Sequence, residues 1–236
     1  MSHINVTIEN NLARLVLSNP PQNRLTQAFF DELSDGISLI AASGARAALL
    51  CAEGPDFSYG GDIVPWPTLT PEQLRAAFEG RLATVNQWEQ LPVLTVAAVR
   101  GLCFGGGFEL AVRSDIIFAG TSARFGHPEQ SLGIVTMLGG VQRLAERVGK
   151  AFALEWALTS EQVPAQTMLE RGVVNRVVRT NPCSKKRASS HATWRMARRE
   201  LILLTRRCCV YGPEAARQRP TRRCWTSLCR CSKPKM

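Results

Sequence analysis

Three consecutive glycines, Gly105, Gly106 and Gly107, stand just before Glu109, and nothing else in the chain limits its fold so narrowly. The surrounding stretch, Arg100 to Gly140, reads RGLCFGGGFELAVRSDIIFAGTSARFGHPEQSLGIVTMLGG. A buried strand is predicted over Val93–Val99 and a helix over Gly106–Arg113, so the glycines fall on a strand-to-helix turn. Glycine there lets a backbone N–H approach a ligand that a Cβ would hold away. The first N–H groups of a helix are unpaired and favour negative charge. Glu109, in the first turn, would face the same point. A second carboxylate, Glu129, follows twenty residues later, after Phe125, Gly126, His127 and Pro128. The pattern suits a site that handles a developing oxyanion and a proton. It lacks the G-x-G-x-x-G spacing of a dinucleotide turn.

Taken in order, the chain alternates strands and helices. Ile4, Val6 and Ile8 alternate with polar residues, Asn10-Asn11 makes a turn, and Leu12–Ser18 returns as the second strand of a hairpin. The segment NPPQN, Asn19 to Asn23, is a proline-fixed turn. Thr26 caps a helix to about Ala42 with Phe29, Phe30, Leu33, Ile37 and Ile40 on one face. Ala47–Cys51 is an apolar buried strand. Glu53 to Pro67 is a loop centred on Gly60-Gly61. Thr70-Pro71 starts a helix that ends near Gln90. Beyond the triple glycine come a strand over Asp115–Ala119, helices over Gly139–Val148, Lys150–Leu158 and Pro164–Arg171, and a strand over Val173–Val178. This order implies an α/β fold with parallel neighbours.

Gly60-Gly61 and Gly105–Gly107 each follow a strand, so each offers a bare N–H. Two such groups converging form an oxyanion hole, worth about 3–4 kcal/mol per donor on a developing enolate or alkoxide. Either glycine set alone reads equally well as a tight turn. A lone glutamate on an amphipathic helix is ordinarily solvated, but Glu109 lies among Phe108, Leu110, Ala111 and Val112, where burial would raise its pKa. Addition of water across a double bond conjugated to a carbonyl needs one group to deprotonate water and another to protonate the α-carbon. Glu109 and Glu129 would supply that pair if they stood beside one oxyanion hole. His127, one of three histidines and without a Cys/His cluster, reads as a positioning or satisfied core histidine.

The net charge of +10 is unevenly spread. Residues 179–236 hold 12 Arg and 4 Lys against Glu200 and Glu214, and six of the eight cysteines, whereas residues 1–178 have a balance of −4. With 45% hydrophobic residues the chain can bury a core, but no apolar run reaches the roughly 18–20 residues of a membrane span. The N-terminus lacks the layout of a secretion signal, so a cytoplasmic protein is expected. The tail cysteines lack zinc-finger spacing, so no metal is expected. Sixteen cations can neutralise phosphates, yet the tail has no recognisable RNA module, and a charge run is generally just solvated; nucleic acid is not an expected partner.

GLCFGGGFELAVRSDIIFAG, followed by FGHPEQSLG, GG and QRL (Gln142–Leu144), resembles the crotonase or enoyl-CoA hydratase superfamily. FSYGGDI (Phe57–Ile63) resembles its first oxyanion loop, LSNPPQN (Leu17–Asn23) its turn near the CoA nucleotide, and Ala157–Val178 the segment leading into its C-terminal helices. The likeness covers residues 3–178, and it implies a spiral of ββα units, usually assembled as a trimer or a dimer of trimers. It implies an oxyanion hole from the Gly61 and Gly106 amides and substrate contacts at Gly60, Gly61, Asp62, Ile63, Gly105 and Gly106. Glu109 would act chiefly as base and Glu129 would deliver the α-proton, in the hydration of a trans-2-enoyl-CoA to 3-hydroxyacyl-CoA. CoA would be part of the substrate, with no separate cofactor. Isomerases and hydrolases of the superfamily commonly lack one of the two glutamates; enoyl-CoA isomerisation, dienoyl-CoA hydration, acyl-CoA hydrolysis and an inactive CoA-binding homologue are the alternatives within it.

Two departures stand out. GIVTMLGG, Gly133 to Gly140, replaces a Pro-Gly turn by Thr136, Met137 and Leu138, which bears on the acyl pocket. Residues 179–236 form an atypical basic tail where the family has C-terminal helices. The jump in Arg, Cys, Ser and Trp with loss of periodicity is what a shifted reading frame would produce; a divergent tail is the alternative.

Overall fold

The computed structural model describes residues 2–179. The readings of the tail, including the brief periodicity at 194–204 and the shifted frame, lie outside these residues.

The hairpin forms from β1 (Ile4–Glu9) and β2 (Leu12–Leu17), with Ile4 opposite Leu17 and Glu9 opposite Leu12. α1 (Gln27–Ala42) starts where the Thr26 hydroxyl accepts the Phe29 N–H at 3.1 Å, and its face of Phe29, Phe30, Leu33, Ile37 and Ile40 is buried. β3 (Ala47–Ala52) follows, then a 3-10 turn at Trp66–Thr68 and α2 (Pro71–Gln90). Thr70 and Gln73 close a capping box at the head of α2, each side chain accepting the other's N–H, which satisfies two otherwise orphaned donors. β4 (Leu94–Val99), β5 (Leu102–Phe104) and α3 (Gly106–Ala111) come next, then β6 (Ile116–Gly120), β7 (Arg124–Gly126) and a 3-10 turn at Pro128–Leu132. α4 (Gly140–Val148), α5 (Lys150–Thr159), β8 (Val163–Pro164), α6 (Ala165–Glu170) and β9 (Arg176–Val178) complete the described chain.

The larger sheet has the order β1-β2-β3-β4-β6-β9, antiparallel only at β1. The smaller one runs β5-β7-β8, and a bridge between Ser58 and Cys103 brings the loop after β3 alongside it. A strand of the large sheet, a short strand of the small sheet and a helix therefore recur, as in β4-β5-α3. One face of the large sheet carries the main core, including Leu15, Leu50, Phe29, Trp88 and Phe108. Leu49, Val96 and Phe118 form a small cluster on the other.

Some expectations shift. Val99 does not lead straight into the glycines, because β5 intervenes; strands as short as β5 and β7 are below what alternation in a sequence can reveal. The strand expected over Val173–Val178 is confined to Arg176–Val178. Val173 and Val174 instead donate their amides to Met168 O at 2.9 and 3.0 Å, closing α6 and burying both side chains. The helix expected over Gly106–Arg113 ends at Ala111.

Candidate active site

The two glycine turns meet. Leu25 and Gly61 form an isolated parallel bridge in which Leu25 donates to Gly60 O and accepts from Asp62 N–H, leaving the Gly61 N–H outside it. Gly106 is the first residue of α3. Neither the Gly61 nor the Gly106 amide donates to another described residue. A Cβ at Gly106 would lie 3.6 Å from the Gly61 nitrogen, so the two turns are in direct contact. Gly105 has φ 50° and ψ −128°, a conformation open essentially to glycine, and a Cβ there would stand 2.9 Å from Glu129 Oε1. Ser58 orients the other turn: its buried hydroxyl donates to Asn23 O at 2.7 Å and accepts the Gly60 N–H at 3.0 Å.

Both carboxyls reach the same cleft. Glu109 is 3% exposed, and its Oε1 accepts the N–H groups of Leu138 and Gly140, each at 2.9 Å. Burial raises its pKa, while those two amides and the Arg113 charge pull the other way. The Glu129 side chain is 12% exposed and its Oε2 has no hydrogen-bond partner. Burial, aided by the negative charge of Glu109, pushes its pKa up to about 7. His127 is 1% exposed and packs against the Phe108 ring at 4.9 Å. Its Nδ1 lies 3.7 Å from Glu129 Oε2, too far for a hydrogen bond, and burial lowers its pKa to about 4, so at neutral pH this contact is not an ion pair. The ring is a core histidine as expected, but it is not satisfied: neither nitrogen has a hydrogen-bond partner.

The cleft encloses about 600 Å³ including its mouth. Among the residues that line it are Gly60, Gly61, Ile63, Gly105, Gly106, Glu109 and Glu129, so every expected site residue is gathered there except Asp62. The Asp62 carboxylate instead accepts the Val64 N–H at 3.3 Å, shaping the loop that leads to Trp66. Arg113 was not singled out in the sequence. It is buried, donates to Asn86 at 2.8 Å and bonds Glu89 and Leu138 O, which pins the loop whose amides hold Glu109. Ser58 was also missed, although a serine two residues before a glycine pair is a recognised turn signal.

Arg81, on α2, lines the same cleft and is 6% exposed. Its guanidinium lies 5.5 Å from the Phe30 ring centroid and 5.2 Å from that of Phe78. No carboxylate among the described residues comes within ion-pair distance, and Nε has no hydrogen-bond partner. Each aromatic face returns about 0.5–2 kcal/mol, against a burial penalty of several kcal/mol for an ion.

The family model described as Enoyl-CoA hydratase/isomerase matches residues 7–205. The chain belongs to this family. The match continues beyond Val178, where the motifs readable in the sequence end. Over 175 residues this enoyl-CoA hydratase/isomerase family member is 33% identical to the mitochondrial enoyl-CoA hydratase of Pongo abelii, covering 72% of this chain and 59% of that protein. It therefore spans less than two thirds of that relative's length. A solved enoyl-CoA hydratase from Bacillus anthracis has a TM-score of 0.82 at 28% identity, covering 90% of this chain and 84% of that one. A homologue from Thermobifida fusca YX, solved in complex with CoA, has a TM-score of 0.80 at 25% identity, covering 90% and 86%. The architecture is the crotonase-like α/β fold.

Proposed function

We propose that the protein is a hydro-lyase that adds water to a trans-2-enoyl-CoA to give the 3-hydroxyacyl-CoA. The observation that carries this reading is one cleft lined by both unpaired glycine amides and both buried carboxyls. Family membership and the relative solved with CoA support a CoA thioester as substrate.

In this mechanism the thioester oxygen sits between the N–H groups of Gly61 and Gly106, which stabilise the charge that develops as the double bond is attacked. Glu109, ionised, takes a proton from water as the hydroxyl oxygen bonds to the β-carbon. The π pair moves to the enolate, and Glu129, protonated, gives its proton to the α-carbon. One proton is gained and one lost, so exchange with solvent restores the pair. The environments support this division of labour. Burial raises the pKa of both carboxyls, but at Glu109 two amides and a nearby arginine oppose the rise and favour the charged form, whereas Glu129 has a bare oxygen and a pKa pushed up to about 7, so much of it carries a proton at neutral pH. Carboxyls and amides supply every proton transfer and all the charge stabilisation the addition requires. Assembly as a trimer or dimer of trimers is part of the same proposal, and light scattering of the full chain tests it.

Purified full-length protein should consume the enoyl absorbance of crotonyl-CoA, and Glu109→Gln and Glu129→Gln should each abolish most of that rate. A trans-3-enoyl-CoA converted while crotonyl-CoA stays intact would instead make the protein a double-bond isomerase.

A further inference from the structure

Two buried donors in the cleft have no part in the proposed hydration. The Arg81 Nε–H and the Trp66 Nε1–H both lack a hydrogen-bond partner, and both residues line the cavity. They belong to one wall. A Cβ at Gly61 would meet Trp66 Cζ2 at 3.7 Å, Trp66 packs edge-on against Phe78 at 5.1 Å, and the Arg81 guanidinium lies over Phe78. The wall thus runs from an oxyanion-hole amide to a buried cation.

The other arginines near the site are committed. Arg24 Nε donates to Gln22 Oε1 at 2.8 Å, and Arg113 bonds Asn86, Glu89 and Leu138 O. The acids whose charge reaches Arg81 are engaged with other donors: Asp62 accepts the Val64 N–H at 3.3 Å and Asp31 accepts from Gln27 at 3.0 Å. Two aromatic faces do not offset the burial of a guanidinium, and a wholly aliphatic acyl chain would leave the charge and both donors unmatched in the cleft. A neutral acceptor would fill one donor and leave the charge. A carboxylate answers both, because its two oxygens fit the planar fork of an arginine.

We propose that the cleft selects acyl groups ending in a carboxylate, with the Arg81 guanidinium and the Trp66 indole N–H as the receptor. The substrate is then the CoA monothioester of an unsaturated dicarboxylic acid. This rests on the acyl-CoA reading above.

The test uses saturated, unreactive thioesters, so that binding is read apart from hydration. Calorimetric Kd values of glutaryl-CoA and adipyl-CoA are compared with those of their neutral counterparts, pentanoyl-CoA and hexanoyl-CoA, on the full-length protein. At least one dicarboxylic thioester should bind roughly tenfold tighter or better than its neutral counterpart, since a buried receptor left unpaired penalises the analogue lacking the group. That ratio should collapse towards one in Arg81→Met and shrink in Trp66→Phe, which keeps a ring and removes the N–H. Equal affinities in the parent overturn the proposal, as does a preference that survives Arg81→Met. If Arg81→Met does not fold, the parent ratio and Trp66→Phe decide. A parent that prefers the dicarboxylic thioesters yet hydrates no enoyl thioester upholds this inference and removes the hydratase reading; one that hydrates crotonyl-CoA without that preference does the reverse.

Discussion

Glu129 carries a pKa of about 7 because burial disfavours its charge and Glu109 adds repulsion. As the proposed acid of the reaction it must be protonated, so kcat for hydration should fall as pH rises through that value. Glu129→Gln should lower kcat by about 10²–10⁴, the usual contribution of a positioned acid. Linkage adds a second consequence. The folded pKa lies above the ordinary carboxylate value of 4.5, so the folded state holds more protons between the two values. Stability is full below about 4.5 and is lost as pH rises through about 7. Urea melts of the parent at pH 5 and pH 8 should differ by about 1–3 kcal/mol more than those of Glu129→Gln, in which the charge never forms. An equal pH dependence in the two proteins would refute the assignment.

At the scale of elements, the site depends on loops and helix ends brought to one place. The loop into α4 presents two amides to Glu109, and Gly140 packs so closely that a Cβ would clash with Glu109 Cγ. Gly140→Ala must therefore displace the carboxylate. Crotonyl-CoA hydration should fall at least about 100-fold while the far-ultraviolet circular dichroism is kept, since small misplacements of a catalytic group cost this much. The cap of α2 makes a different prediction. Thr70→Ala removes the hydroxyl that accepts the Gln73 N–H and should cost about 1 kcal/mol in urea unfolding.

For the whole molecule, the cleft gathers residues from α1, α2, α3, the two glycine turns and both 3-10 turns, so a ligand filling it ties separate parts of the fold together. A thioester that binds only the folded state, at 100 times its Kd, should add about 2.7 kcal/mol and raise the melting midpoint by roughly 5–10 °C. Scanning calorimetry with saturating acyl-CoA checks this; an unmoved midpoint would mean that the cleft does not bind the thioester.

Much of the molecule is legible in the residues alone. Apolar periodicity locates α1 nearly to the residue, because a face of Phe29, Phe30, Leu33, Ile37 and Ile40 has only one side to bury and Thr26 caps where the pattern begins, and the Thr70-Pro71 start locates α2 as closely. Glycine pairs and buried-context glutamates mark the groups able to do chemistry, since those residue types are expensive wherever they are not needed. What only the tertiary structure decided is which groups meet. β5 and β7 are too short to leave a period, yet they set the small sheet that joins the two glycine turns. Arg81 looks like any cation on an amphipathic helix; what the sequence does not show is that Phe30, about fifty residues earlier, joins Phe78 of the same helix in covering it. Periodicity reports the faces of elements, whereas proximity between distant segments, and the pKa values that follow from it, exist only once the chain has closed around its core.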